Sequence, residues 1–256
     1  MGPEYSFSDL LVRKLYPDAE VEHLNNLSKL VEKSRDGCAV VPSENSIAGP
    51  VGEVIRKIRD VNNIFITREI YYPIKLCLGG LGSEKDIEVI YSHPKAIQQC
   101  GDYLSEIGAK VKAVESTSEA AKTAKKYGKK AGVICAEDAI KKYQLNLLKE
   151  NVQDNLNNYT IFWELSNKEA EIDNNKRIGT ALIVDLENKV GALYKFLEIF
   201  YEEGVNLYFI NSWPENGEYW FLIKTESDKN RPSPSKIEKF CKKFRYLGTY
   251  NIIDFR

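Results

Sequence analysis

The chain has 256 residues, of which 43% are hydrophobic and 29% are charged, a balance typical of one large globular domain or two unequal ones. Its 36 Lys and Arg residues nearly cancel its 37 Asp and Glu residues, so it lacks the basic surplus that nucleic-acid binding needs. No apolar run reaches the roughly 20 residues of a bilayer span, so we expect a soluble, cytoplasmic protein with no membrane partner.

Cysteine and histidine usage argues against a metal site. The two histidines, His23 and His93, have no carboxylate or thiol at ligand spacing, so we predict no bound metal. The cysteines stand singly, without a C-x-x-C pair, and we predict that they are small buried side chains. They are Cys38, Cys77, Cys100, Cys135 and Cys241.

From residue 8 to about residue 165, short apolar runs alternate with amphipathic stretches. This pattern predicts an α/β unit with a mostly parallel sheet and flanking helices. The run CAVVP at 38–42 indicates a buried strand, and the polar turn ENSIAG follows it. The next stretch, 51–61, places Val and Ile side chains on one helical face.

Two further strand and helix units follow. A strand at 88–92 precedes a helix that begins at Pro94 and ends at Gly108. A strand at 111–116 precedes a helix capped by one of the hydroxyl residues 116–118. The strand AGVIC and the helix AEDAIKKYQL complete this part of the chain.

A polar segment separates the remaining residues from this α/β unit. Residues 166–177 contain no periodic apolar positions, so we predict a linker at 169–177 between domains at 1–168 and 178–256. The C-terminal pattern predicts the order β-α-β-β-α-β, which is the ferredoxin-like plan. Its hairpin turn is expected near Asn216 and Gly217.

Five stretches resemble, in order and at similar spacing, the successive motifs of the prephenate dehydratase family. They are GPEYSFS, VVPSENSIAGPV, YSHPKAIQQC, ESTSEAA and VQDNLNNYTIF. The C-terminal stretches GALYKFLEIF, VNLYFINSWP and EYWFLIK resemble the amino-acid-sensing ACT module that this family carries.

The resemblance implies both a fold and a reaction. The fold would be a two-lobed domain like the type II periplasmic binding proteins, with the substrate in the cleft between the lobes, followed by the ACT domain. The reaction would be loss of water and carbon dioxide from prephenate to give phenylpyruvate in L-phenylalanine biosynthesis. The resemblance implies no cofactor, because aromatisation drives the reaction and the enzyme orients the ring and assists departure of the hydroxyl.

The resemblance also assigns roles to individual residues. The catalytic candidates are Thr160, which would assist the leaving hydroxyl, and Ser92 and His93 in a strand-to-helix turn of the second lobe. The substrate-binding candidates are Ser6, Phe7, Glu44, Asn45, Ser46, Lys95 and Phe162. The alternatives are strand packing for Thr160, ordinary packing for Phe7, helix capping for residues 44–46 and His93, and a solvated surface position for Lys95.

Three departures from the family pattern bear on these roles. Ile161 stands where the family usually has arginine, and Lys95 stands where a glutamine is usual, so Lys95 is a candidate to replace the lost positive charge. Tyr5 stands where a glycine is usual. The strand that precedes Gly2 in the family is absent, and its ladder partners would stay unpaired unless another segment takes its place.

In the ACT-like part, residues 211–214 read Asn-Ser-Trp-Pro where Glu-Ser-Arg-Pro is usual. The expected effector there is L-phenylalanine. The candidate effector-binding residues are Gly191, Ala192, Leu193, Asn206, Asn211 and Ser212. Modules of this type leave a strand edge exposed, so we expect a homodimer or a tetramer. The alternatives to prephenate dehydratase are a noncatalytic amino-acid sensor and an arogenate dehydratase.

Overall fold

The computed structural model describes residues 4–226 and 234–256, which form two β-sheets with helices packed against them. The helices are α1 (Phe7–Leu15), α2 (Leu27–Lys33), α3 (Gly52–Asp60), α4 (Pro94–Gln98), α5 (Gly101–Ile107), α6 (Thr117–Tyr127), α7 (Glu137–Lys142), α8 (Ala192–Glu202) and α9 (Pro234–Glu238). The strands are β1 (Cys38–Asn45), β2 (Gly49–Pro50), β3 (Phe65–Pro73), β4 (Cys77–Gly80), β5 (Val89–Ser92), β6 (Lys110–Ala113), β7 (Ala131–Cys135), β8 (Asn146–Lys149), β9 (Tyr159–Ser166), β10 (Ile178–Leu186), β11 (Asn206–Glu215), β12 (Glu218–Glu226) and β13 (Lys243–Asp254). None of the helices in these ranges combines the length and apolar character of a bilayer span.

The second sheet contains the middle of the chain, in the strand order β6-β5-β7-β4-β8. Strand β5 is parallel to both β6 and β7, as the alternating pattern predicted, whereas β4 is antiparallel to β7 and β8. Two apolar clusters cover its faces, one packed against α6 and α7 and the other against α4 and α5. Each strand and helix unit therefore buries the apolar helical face seen in the sequence.

The first sheet is not mostly parallel, and this prediction was wrong. The order β3-β9-β1-β2 places β9 between β3 and β1, antiparallel to both. The chain returns from the second sheet along β9. This strand, which follows the second sheet in the sequence, is therefore inserted between β1 and β3, which precede that sheet. A pattern read along the chain cannot reveal this insertion, because the periodicity of a strand does not depend on the direction of its neighbours.

The C-terminal residues extend this same sheet. Strands β11, β12, β10 and β13 pair antiparallel in that order, and β13 then pairs in parallel with β3, aligning Asn251 with Arg68. The elements follow the predicted order β-α-β-β-α-β. At Gly248, with a φ of 125°, an added Cβ would lie 2.7 Å from the Ile66 carbonyl oxygen, so only glycine allows this approach. The hairpin turn at Asn216 and Gly217 has positive φ at both positions, as the sequence predicted.

Several predicted elements differ in extent from those observed. The helix predicted from Pro94 to Gly108 is two helices, α4 and α5, divided at Gln99 and Cys100, and Gly108 ends the second in a left-handed conformation. Helix α9 is short and ends at Glu238, because the chain from Lys243 onward joins β13. Ser116 caps α6 by accepting a hydrogen bond from the Glu119 N–H.

The outer edge of β1 is largely open within the described residues. Strand β2 pairs only with Glu44 and Asn45 on that side, so the rest of the edge has no strand partner there. A cavity of about 370 Å³ lies along this edge, between α1 and α2, and is lined mainly by apolar side chains. Cys38 lies in its wall and is exposed, contrary to the prediction that the cysteines are buried; Cys77, Cys100 and Cys135 are buried.

Tyr5 adopts a backbone conformation that explains why glycine is usual at this position. Its φ of 60° lies in the left-handed region, which L-residues avoid. Its N–H donates to Asp9 Oδ2 at 2.7 Å, and its ring meets the Tyr143 ring edge-on at a centroid distance of 6.0 Å. The contact joins the start of α1 to the end of α7, so the ring links the helices of the two sheets.

Replacing Tyr5 separates these two effects. Tyr5→Gly loses the ring contact but relieves the backbone, whereas Tyr5→Ala loses the ring and keeps the strain. We expect the free energy of unfolding of Tyr5→Gly to exceed that of Tyr5→Ala by about 1 kcal/mol, measured by urea denaturation. Equal values would show that residue 5 is not held in the left-handed region.

Candidate active site

Two segments carry the chain between the sheets, and they are hydrogen-bonded to each other. The Ile74 N–H donates to the Asn158 carbonyl oxygen at 2.9 Å, and the Leu76 N–H donates to Gln153 Oε1 at 2.9 Å. The second segment then enters β9, which places Thr160 two residues beyond the crossing. The catalytic candidate of the first sheet therefore lies where the two sheets meet.

Asn45 connects the end of β1 to the start of β9. Its Nδ2 group donates to Asn158 Oδ1 at 2.9 Å, to the Tyr159 carbonyl oxygen at 3.0 Å and to Thr160 Oγ1 at 3.1 Å. Its Oδ1 accepts from the N–H groups of Ile47 and Ala48, which closes the turn after β1. The helix-capping alternative is not observed for Asn45, because the next helix, α3, begins at Gly52 with Val51 as its N-cap. The amide oxygen of Asn45 instead serves the turn, and its nitrogen contacts Thr160.

Asn158 is a site residue that the sequence analysis missed. It is buried, and its Nδ2 has no hydrogen-bond partner, the only such buried side-chain atom within residues 4–226 and 234–256. Its Oδ1 lies 3.5 Å from Ser46 Oγ, and that hydroxyl accepts the Tyr159 N–H at 3.0 Å. A buried donor without a partner costs about 1–3 kcal/mol, which makes it a candidate contact for an oxygen-bearing ligand. Its position in NNYTIF, beside Thr160, was the available sequence signal.

The candidates of the second sheet lie at the carboxyl end of β5. Ser92 is buried, and its hydroxyl donates to the Ile134 carbonyl oxygen at 2.7 Å, so it fastens β5 to β7. His93 precedes α4, and its Nδ1 accepts the Lys95 N–H at 3.2 Å. Burial, with the nearby Lys95 ammonium, lowers the pKa of His93, which favours the neutral imidazole at pH 7. Lys95 itself is exposed.

The first motif is placed by α1. Ser6 is the N-cap of this helix, and its hydroxyl accepts the Asp9 N–H at 3.3 Å. Phe7 packs against apolar clusters of both sheets, so the packing alternative is observed for it at the boundary between them. Phe162 is buried with Leu11 in the cluster under α1. Its predicted contact with substrate is not supported, because this side chain is part of the core.

Asp9 supports the first motif and was not identified from the sequence. This buried carboxylate accepts hydrogen bonds from the Tyr5 N–H and from Arg13 Nε, the latter at 3.0 Å. It also lies 3.1 Å from His23 Nε2. Burial alone would raise its pKa, but the hydrogen bonds from Tyr5, His23 and Arg13 outweigh burial and lower it. The carboxylate is therefore held ionised, and it fixes the chain before α1.

Glu44 faces the C-terminal strands. It pairs across the sheet with Ile161, whereas Asn45 pairs with Thr160, so the side chains of Glu44 and Thr160 lie on opposite faces. Its Oε2 is 3.4 Å from Lys224 Nζ, on β12. The carboxylate predicted to bind substrate is thus engaged by a lysine of the C-terminal strands.

The same lysine contacts a second, fully buried carboxylate. Lys224 Nζ lies 3.0 Å from Glu69 Oε2, which also accepts the Trp163 indole N–H at 2.9 Å. The Tyr208 hydroxyl donates to Glu69 Oε1 at 2.7 Å, and the Tyr71 hydroxyl lies 3.3 Å from the same oxygen. Burial and the neighbouring carboxylate raise the pKa of Tyr71, so its hydroxyl stays protonated and able to donate. No sequence motif indicated this cluster, because its members come from separate parts of the chain.

The effector-binding candidates are divided between two faces of the C-terminal strands. Gly191, at a φ of 81°, precedes α8, and Ala192 begins this helix. Ser212 pairs with Phe221, which packs in the same cluster as Leu193. The adjacent Asn211 points to the opposite face, because successive strand side chains alternate. These positions therefore do not form one pocket within a single chain.

The remaining candidate, Asn206, begins β11 and is exposed. Strand β11 is the edge of the first sheet among the described residues, and its outer side has no strand partner there. In the described part of the chain, no cluster of three or more His, Cys, Asp or Glu side chains is arranged to hold a metal ion.

Comparisons with known proteins agree on one family. The family model for prephenate dehydratase matches residues 1–170. A prephenate dehydratase from Methanocaldococcus jannaschii is 31% identical over 264 residues, covering 98% of this chain and 97% of the relative. A solved prephenate dehydratase from Arthrobacter aurescens, in complex with L-Phe, is 28% identical with a TM-score of 0.84, covering 98% of this chain and 88% of that one.

A second solved structure shares the fold under a different description. It is named a quorum quenching acylase, and it is 25% identical with a TM-score of 0.83, covering 98% of this chain and 96% of that one. The fold alone therefore does not determine the reaction. The family model and the nearly full-length relative do determine the family: the chain belongs to the prephenate dehydratase family.

Proposed function

We propose that this chain converts prephenate to phenylpyruvate in the region where its two sheets meet. The observation that carries the proposal is the hydrogen bond of 3.1 Å from Asn45 Nδ2 to Thr160 Oγ1, beside the unpartnered amide of Asn158. Because Oγ1 accepts from Asn45, its own proton is free to point toward the leaving hydroxyl of the substrate. As the ring carboxylate departs as carbon dioxide, its bonding electrons aromatise the ring and expel the hydroxyl as hydroxide. The hydroxide takes the proton of the Thr160 hydroxyl and leaves as water, and Thr160 regains a proton from solvent.

The other roles follow from where each group lies. Asn158 Nδ2 is proposed to donate to a substrate oxygen, since it is buried and has no partner of its own. His93, neutral at pH 7, is proposed to orient the substrate by hydrogen bonding and not by charge. Lys95 is proposed to supply positive charge for a substrate carboxylate, because Ile161 supplies none. Ser92 is proposed to act indirectly, through the packing of β5 on β7.

The division into domains belongs to the same proposal. Residues 1–168 would form the two-lobed catalytic domain of the type II periplasmic-binding-protein kind, residues 169–177 the linker and residues 178–256 a regulatory ACT domain. The β-α-β-β-α-β order of the last part supports this.

Regulation and assembly are proposed on related grounds. The solved relative in complex with L-Phe supports L-phenylalanine as an effector. The open edge of β11 supports a homodimer or a tetramer, in which a second chain would complete the divided effector positions.

Thr160 provides the direct test of the reaction. Thr160→Val keeps the shape of the side chain but removes the hydroxyl, so we expect kcat to fall by roughly 100-fold, in the range ascribed to one proton-transfer group. Thr160→Ser retains the hydroxyl and should stay within about tenfold of the wild type. Phenylpyruvate is measured by its absorbance in strong base, with prephenate and arogenate assayed in parallel. Wild-type kcat in Thr160→Val would contradict the role of Thr160.

His93 provides a test by pH. Its folded-state pKa lies below its unfolded value near 6.5, so protonation favours the unfolded chain, and the free energy of unfolding falls as the pH drops below about 6.5. His93→Gln, which cannot titrate, should lose less stability between pH 7.5 and pH 5.5. Urea denaturation across this range measures the slope, and identical slopes for both proteins would rule out a lowered pKa.

A further inference from the structure

Lys224, on β12, is a buried lysine that contacts carboxylates on β1 and β3. Its side chain is 1% exposed, and its Nζ lies 3.0 Å from Glu69 Oε2 and 3.4 Å from Glu44 Oε2. The rings of Phe209 and Tyr208 surround the ammonium, with centroids 4.7 Å and 5.1 Å away. Burying an ammonium costs free energy unless it is paired. Here the two carboxylates and the two ring faces offset the cost of removing the Lys224 ammonium from water.

The two carboxylates depend on Lys224 to different extents. Glu69 is also satisfied by the Trp163 indole and by the Tyr208 hydroxyl. For Glu44, the contact with Lys224 is the single ion pair within residues 4–226 and 234–256. Its cross-strand neighbour Ile161 is buried and apolar, so β9 offers it no charge. Without Lys224, the Glu44 carboxylate would have no ion-pair partner within residues 4–226 and 234–256.

That carboxylate stands next to the centre of the candidate site. Glu44 directly precedes Asn45, whose amide holds Thr160 Oγ1 and Asn158 Oδ1. The side chain of Glu44 is 24% exposed, so it is neither locked in the core nor fully screened by water. A substrate with two carboxylates would be repelled by an unpaired anion here, and the repulsion is strong where water is partly excluded.

We propose that Lys224 is a positioning residue of the active site: it neutralises Glu44, the neighbour of Asn45, so that a dicarboxylate substrate is admitted. The inference rests on the proposed function. It also means that residues beyond 170, where the match to the family model ends, are needed to complete the electrostatics of the site. Lys224 thus compensates the charge of Glu44 from β12, a role separate from the one proposed for Lys95.

The test uses the full chain and steady-state kinetics with prephenate. Lys224→Met keeps the approximate length of the side chain and removes the charge. We expect KM to rise roughly tenfold with a smaller change in kcat, because the variant binds the dianionic substrate more weakly. This increase should shrink at higher ionic strength, because salt screens the exposed part of Glu44. Lys224→Arg should restore KM to near the wild-type value.

Two further variants distinguish the effect of Lys224 on Glu44 from a nonspecific loss of structure. Arg59→Met removes another cation between α3 and the C-terminal strands, where it pairs with Asp185 and Glu215, but it does not touch Glu44. Its KM should stay within about twofold of the wild type. Glu44→Gln combined with Lys224→Met removes both charges, and its KM should match that of Glu44→Gln alone.

The outcomes distinguish this inference from the proposed function. An inactive wild-type chain contradicts the proposed function and, with it, the inference. An active wild type with unchanged KM in Lys224→Met overturns the role of Lys224 alone, as does an equal rise in KM for Arg59→Met. If Lys224→Met fails to fold by circular dichroism, the same comparison is made with Glu69→Gln present, since that change removes the buried carboxylate that the lost lysine leaves unpaired.

Discussion

The structure depends on one buried carboxylate, Glu69, on β3, the strand that joins the C-terminal strands to β9 and β1. Its four contacts come from Trp163 on β9, Lys224 on β12, Tyr208 on β11 and Tyr71 on its own strand. Burying a carboxyl group in an apolar interior costs free energy unless its oxygens are hydrogen-bonded, and the donors here come from widely separated parts of the sequence. The cluster therefore requires all of these strands to be assembled in one register.

This requirement explains why the sheet continues without a break from the C-terminal strands into the first sheet. The parallel pairing of β13 with β3 provides backbone hydrogen bonds, and Gly248 permits the close approach, but neither selects a register by charge. The Glu69 cluster does, because a shift of one residue along β3 would place Glu69 on the face opposite to its partners Lys224 and Tyr208. Arg59 adds a second connection, through Asp185 and Glu215 and across the Trp220 ring at 4.7 Å.

A feature of the fold or the site could be predicted from the sequence when the residues that determine it are close together along the chain. Local features were predicted well: the strand at β1, the cap at Ser116 and the hairpin turn at Asn216 each depend on a few neighbouring residues. The antiparallel insertion of β9 and the exposure of Cys38 depend on which distant strands become neighbours, and the pattern of one segment contains no information about that. For the site, the motifs named Asn45 and Thr160, and the structure brings these two into contact. Asn158 was missed although it lies in the NNYTIF motif. Glu69 and Lys224 were missed because a polar residue inside a strand gives no sign of its partner.

The departure at Ile161 is best understood as a redistribution of charge. An arginine on β9 would place its guanidinium on the face that carries Trp163, which is the face of Glu44 and Glu69. With isoleucine there, β9 provides neither carboxylate with a cation, and burying one of them unpaired would cost several kcal/mol. Lys224 enters this face from β12 and contacts both. Because a cation of the C-terminal strands is then shared with the strand that carries Asn45, any movement of β12 changes the balance of charge near Thr160, the proposed catalytic residue. A shift in the C-terminal part can therefore reach the site by electrostatics alone, without a change in the hydrogen bonds of Thr160.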